Sequence, residues 1–140
     1  MSLFCYGTLR SATIREKVLG KRAAKTLVQT CLVKGYKVVN VRGKWYPQLK
    51  QSEDPNSVAP GTLLKNLGTY DWKILDQFEG KQYKRFPILI FDKENEEEIE
   101  AQCYMPIVSL EYDKQWDFEK WERDFIEKFI GNDFNIYGVT

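Results

Sequence analysis

Histidine is absent from all 140 residues, which excludes Ser-His-Asp triads, Cys-His dyads and nearly every zinc site built on imidazole. Acid–base chemistry in this chain therefore falls to a carboxylate, Lys, Tyr or Cys. A charge excess of one sign is missing too. Lys and Arg number 21 against 20 Asp and Glu, so no global field selects nucleic acid or an anionic membrane surface. No stretch approaches the roughly 20 apolar residues that a spanning helix needs. The opening Met1-Ser2-Leu3-Phe4-Cys5 has no basic run ahead of a long apolar segment, so neither secretion nor membrane insertion is expected. The cysteines Cys5, Cys31 and Cys103 form no C-x-x-C pair, and each lies in an apolar stretch. Buried free thiols in a reducing, cytoplasmic setting are the expectation.

What is present fits one domain over residues 1–140, long enough to enclose a core without disulfides or metals. Leu3 to Tyr6 reads as a short buried strand broken by Gly7 and Thr8. Thr13-Ile14-Arg15-Glu16 has the spacing of a capping box, and Gly20 stops the helix that follows. Residues 27–39 carry β-branched and aromatic residues around Gly35, the pattern of a bulged or turned strand pair, and Val41 to Leu49 adds an extended piece. Ser52 to Ser57 is a surface loop. Gly61 to Leu64 returns as a strand, and Thr69 is placed to cap a helix in which Trp72, Leu75 and Phe78 recur before Gly80. Phe86–Phe91 and Ile99–Met105 read as a hairpin with a charged tip. Asp117 opens a last helix bearing Phe118, Trp121, Phe125 and Phe129, which closes at Gly131. This order argues for an α+β fold with a curved or barrel-like sheet.

Two segments carry candidate chemistry. In Tyr6-Gly7-Thr8-Leu9-Arg10 a strand turns at a glycine just ahead of a helix, a geometry that exposes backbone N–H groups to a carboxylate or an oxyanion. An ordinary βα turn is the alternative. In Asp76-Gln77-Phe78-Glu79-Gly80, Glu79 stands at a helix C-terminus beside Phe78, where desolvation and the macrodipole both raise a carboxyl pKa toward the range of a general base. A solvated helix end, or a partner for Arg85, is the alternative there. Arg10 at the end of the first segment is a candidate for substrate contact, as are Tyr83 and Arg85, whose structural alternatives are packing under the sheet and pairing with Asp76. The acidic run Glu94 to Glu100 lacks calcium-loop spacing and reads as a solvated tip.

Taken together, Tyr6-Gly7-Thr8-Leu9, Tyr46-Pro47, Pro60-Gly61-Thr62-Leu63 and Leu75-Asp76-Gln77-Phe78-Glu79-Gly80 with Tyr83 and Arg85 resemble the γ-glutamylcyclotransferase-like family in order and approximate spacing. Trp116-Asp117-Phe118-Glu119-Lys120-Trp121 looks most like its plant avirulence-induced branch. The resemblance implies a small mixed β-barrel with surrounding helices. It also implies a cradle for a γ-glutamyl group at Tyr6, Gly7, Thr8 and Leu9, with Glu79 as general acid/base. The implied activity cyclises a γ-glutamyl amide or amine to 5-oxoproline, with no metal or cofactor and a small molecule as the partner, in a monomer or weak homodimer. A non-catalytic module binding a γ-glutamyl-like or acidic metabolite is the second reading. Arg10-Ser11-Ala12-Thr13 stands where members acting on γ-glutamyl-ε-lysine carry Gly-Gln-Pro-Asn-His, so the leaving group stays open.

Overall fold

The first strand, β1 (Leu3–Cys5), is buried on both faces, and that requirement organises the molecule. The computed structural model describes residues 1–138. Successive side chains of a strand point to opposite sides. Phe4 accordingly joins one core with Leu63, Ile90 and Cys103, while Leu3 and Cys5 join a second with Ile14, Leu75, Phe78 and Phe129. The first core fills a closed barrel, and the second lies between the barrel and the helices.

The chain continues through a 3-10 turn (Thr8–Arg10) into α1 (Ala12–Leu19), which stops at Gly20, where φ is +60°. Its N-cap is Ser11 rather than the expected Thr13. The fully buried Ser11 hydroxyl accepts from the Ile14 N–H, which leaves Thr13 inside the helix. A 3-10 segment (Gly20–Lys25) leads to β2 (Leu27–Lys34), followed by β3 (Tyr36–Val41), β4 (Pro47–Gln51) and β5 (Val58–Lys65). Next come α2 (Thr69–Glu79), β6 (Tyr83–Asp92), β7 (Glu98–Pro106), β8 (Tyr112–Gln115), α3 (Phe118–Asp124) and α4 (Ile126–Asn132). Gly68 rather than Thr69 caps α2, and the Asp71 carboxylate accepts from the Gly68 N–H at 2.9 Å.

The barrel order is β1-β5-β2-β6-β7, with β1 parallel to β7 and every other pairing antiparallel, so the expected small mixed barrel with helices around it is present. A separate antiparallel sheet has the order β4-β3-β8. Here the strand pair expected around Gly35 is corrected. β2 and β3 do not pair with each other; Gly35, with φ at +81°, is where the chain leaves the barrel for the small sheet. Its N–H donates to the Ser57 carbonyl and its carbonyl accepts from the Ser52 N–H, at 2.7 and 2.8 Å. Of the extended piece expected from Val41 to Leu49, Val41 ends β3 and Pro47 to Leu49 begin β4, while residues 42–46 form the turn that joins them.

The last helix is also corrected. It breaks at Phe125, whose φ of −125° leaves the helical region, and α4 runs to Asn132 rather than ending at Gly131. The aromatic spacing stays regular across the break because Phe118, Trp121, Phe125 and Phe129 all pack toward the same core. At the charged hairpin tip, the Asp92 carboxylate accepts from the Glu94 N–H and the Asn95 amide and organises the turn.

Gly61 of β5 lies where β1 crosses closest. A Cβ there would stand 2.5 Å from the Cys5 carbonyl oxygen and 2.6 Å from Cε1 and Cζ of Phe4. Overpacking of this kind costs about 1–3 kcal/mol. Gly61→Ala is expected to lower the denaturant midpoint accordingly, and an unchanged midpoint would contradict the close crossing.

Candidate active site

The cleft opens where β1 ends. Tyr6 carries the strand direction one residue further, and its hydroxyl donates to the Tyr104 carbonyl on β7 at 2.8 Å. Gly7 then turns the chain past β4, so close that a Cβ on it would lie 3.0 Å from Cγ of Pro47. The carbonyls of Gly7 to Arg10 are all engaged. Arg10 N–H reaches the Gly7 oxygen and Ser11 N–H the Thr8 oxygen, both at 3.0 Å, while the Arg15 guanidinium donates to the oxygens of Leu9 and Arg10 at 3.0 and 2.8 Å. This fixes the loop with Thr8 and Leu9 in the cleft wall.

Across from it, α2 ends at Glu79. Gly80 closes the helix at φ +84°, and its N–H donates to the Asp76 carbonyl at 3.2 Å. The cleft is narrow, with a cavity volume of about 40 Å³, and is partly open to solvent. Its walls are Tyr6 to Leu9 with the end of β1, Tyr46 and Pro47, Phe78 and Glu79, and the phenols Tyr83 and Tyr104. Among the described residues, none lining the cleft is Lys or Arg.

Glu79 keeps partial exposure through the cleft mouth, while the protein packed round its carboxyl pushes the pKa up to about 8. Burial is the larger cause, and the charge of Asp76 one turn earlier adds to it. Burial and the Glu79 charge raise the pKa values of Tyr83 and Tyr46, the latter to about 12, and of the Cys5 thiol. Cys5, Cys31 and Cys103 are all free and buried, and a thiol held protonated in this way is no nucleophile.

The candidates from the sequence divide. Tyr6, Gly7, Thr8, Leu9, Glu79 and Tyr83 meet in the cleft. Arg85 does not line it; its guanidinium makes a two-pronged pair with Asp76, at 3.1 and 3.2 Å, and lies over the Trp72 ring. Arg10 turns away as well, stacking 4.3 Å from the Phe118 ring centroid above a separate groove. Tyr104 escaped the sequence reading. It stands in an alternating strand like any core aromatic, yet its hydroxyl donates to Asp76 at 2.5 Å and its ring faces the cleft. Tyr46 and Pro47 were visible only as part of a pattern.

A family model described as Gamma-glutamyl cyclotransferase, AIG2-like matches residues 3–123. The chain belongs to the γ-glutamyl cyclotransferase, AIG2-like family. AIG2-like protein B of Arabidopsis thaliana is 27% identical over 131 residues, covering 92% of this chain and 73% of that relative. The solution structure of another Arabidopsis thaliana protein superposes with a TM-score of 0.70 at 25% identity, covering 93% of this chain and 85% of that one. A structure titled Gamma-glutamyl cyclotransferase shares the fold, with a TM-score of 0.68 at 15% identity over 92% of this chain and 83% of its own. Among the described residues of this family member, no helix is long and apolar enough to cross a membrane.

The raised Glu79 pKa has a consequence for stability. The folded chain holds the Glu79 proton up to about 8, whereas a solvated glutamate releases it near 4.5. Between those pH values the folded state binds more protons than the unfolded one, so this group lowers stability as pH rises. The melting temperature of Glu79→Gln relative to the native protein is expected to climb from pH 4.5 to 8 and then level off. A difference that stays flat with pH would mean the carboxyl is solvated.

Proposed function

We propose that the protein is a γ-glutamylcyclotransferase that releases 5-oxoproline and a free amine from a γ-glutamyl amide or amine, with Glu79 as general acid/base. The observation that carries this reading is a carboxyl poised near neutral pH in the cleft wall opposite the Tyr6–Leu9 loop. Family membership supports it.

In this reading the substrate's α-ammonium enters beside Glu79, whose carboxylate takes one of its protons. The freed amine attacks the γ-carbonyl carbon of its own chain and closes a five-membered ring, placing negative charge on the carbonyl oxygen. The ring nitrogen then carries one further surplus proton. As the ring carbonyl re-forms, the bond to the departing nitrogen breaks, and that nitrogen leaves as an ammonium with both protons, Glu79 relaying them. The atoms and charges balance without any other reactant. Both reacting groups belong to one molecule, so holding it folded supplies much of the acceleration. Backbone N–H groups of the Gly7–Leu9 loop are the donors offered to the developing oxyanion. A small soluble substrate in a reducing, cytoplasmic setting completes the proposal, in keeping with three buried free thiols.

The test is 5-oxoproline release from a panel of γ-glutamyl amino acids, γ-glutamyl amines and γ-glutamyl-ε-lysine. Glu79→Gln is expected to lose about 10²–10⁴-fold in turnover, the usual worth of a general acid/base. For the native enzyme, kcat/KM should rise as pH increases toward about 8, as the Glu79 carboxylate forms. Full turnover in Glu79→Gln would end the mechanism. Ligand-induced stabilisation without product would replace the enzyme with a binding module.

A further inference from the structure

The segment from Asp133 to Gly138 touches both sides of the cleft without lining it, and it lies beyond residues 3–123 that the family model matches. It is ordered by its own hydrogen bonds. The N–H groups of Asp133 and Phe134 both donate to the Phe129 carbonyl, at 2.9 and 2.8 Å, and Gly138 N–H donates to the Asn135 carbonyl at 3.0 Å.

On one side, Asp133 Oδ2 accepts from the Trp45 N–H at 2.6 Å, immediately before Tyr46 and Pro47. The Trp45 carbonyl accepts from Trp121 Nε1 at 2.7 Å, so the peptide groups on either side of Trp45 are held from the C-terminal helices. The Tyr46 ring meets Phe129 edge-on at 6.4 Å, and the Asp133 charge reaches the Tyr46 phenol. On the other side, the Phe134 ring lies 5.8 Å from that of Phe78, the neighbour of Glu79. A Cβ on Gly138 would stand 3.4 Å from the Gly80 Cα and 3.6 Å from the Gln77 oxygen, so this backbone runs against the last turn of α2.

Resting on the reading of the cleft as a cyclotransferase site, we propose that Asp133 and Phe134 are positioning residues for catalysis. Asp133 sets the Tyr46–Pro47 wall, and Phe134 sets the turn of α2 that presents Glu79. The two walls belong to different parts of the fold, the small sheet and the helix layer, and the segment is where they are tied to one another. A charge-assisted hydrogen bond of this length is among the stronger kinds, and its loss leaves the Trp45 N–H without its acceptor. Loss of the Phe134 ring instead opens the packing behind Phe78 and lets the Glu79 turn shift.

The experiment compares full-length Asp133→Ala, Asp133→Asn, Phe134→Ala and Phe134→Leu with the native chain. Steady-state kinetics on a γ-glutamyl substrate the native protein accepts are paired with NMR titration of the Glu79 carboxyl. Asp133→Ala is expected to raise KM about tenfold with kcat little changed, and Asp133→Asn, which keeps an acceptor, to restore it. Phe134→Ala is expected to lower kcat about tenfold with KM little changed, with Phe134→Leu between it and native. In Phe134→Ala the Glu79 titration should also move down by about one unit as water reaches the carboxyl. Variants that lose only thermal stability, with kinetics and titration intact, would overturn the assignment. If the native protein cyclises nothing, the cyclotransferase reading falls separately. The positioning roles are then judged by spectroscopy alone: a Glu79 titration unmoved in Phe134→Ala, or Tyr46 ring signals unmoved in Asp133→Ala, would sink the respective half.

Discussion

The withdrawal of one carboxyl from water at the end of α2 is the interaction on which the arrangement of the cleft depends. Water would hold Glu79 ionised and leave it too weak a base for an ammonium. Packing it among phenols and thiols, with Asp76 one turn away, holds its proton to about pH 8. The nearby guanidinium groups have partners of their own. Arg85, the nearby cation of β6, is taken up by Asp76 and stacked on Trp72, and Asp76 is further held by the Tyr104 hydroxyl. Arg15 is occupied by two backbone carbonyls, and Arg10 by the face of Phe118.

Much of this was legible in the residues. The strand, glycine turn and helix at the start, the helix ending at Gly80 and the hairpin with its charged tip are local patterns, and local patterns are what periodicity and turn chemistry report. Gly35 shows the limit. Two β-rich runs around a glycine look alike whether they pair as a hairpin or part into different sheets, because the decision lies in Ser52, Ser57 and the strands that β2 and β3 join instead. The exposed strand β8 has neither apolar alternation nor length to announce it, and its pairing with β3 is interrupted between Val39 and Val41.

At the site, legibility followed sequence proximity. Tyr6 to Leu9 and Glu79 are contiguous motifs whose local geometry suggests chemistry. Tyr104 reaches the cleft only because β7 lies beside β1, and a tyrosine in an alternating strand carries no mark of which face it will show. Arg10 erred the other way. Its place next to the loop suggested substrate contact, but the 3-10 turn at Thr8–Arg10 rotates it out toward Phe118.

The parallel pairing of β1 with β7 joins Leu3 to Gln102, and the Gln102 N–H closes on the Ser2 carbonyl at 2.9 Å. An early strand thus waits for a late one. During synthesis, which proceeds at about 5–20 residues per second, β1 has no barrel to enter until β7 has left the ribosome. Closing so long a loop also places the chain among the slower-folding topologies. Throughout that interval α2 has no walls around its last turn, and Glu79 titrates as any exposed glutamate does. The property that sets this residue apart is therefore acquired only once β7 has closed against β1.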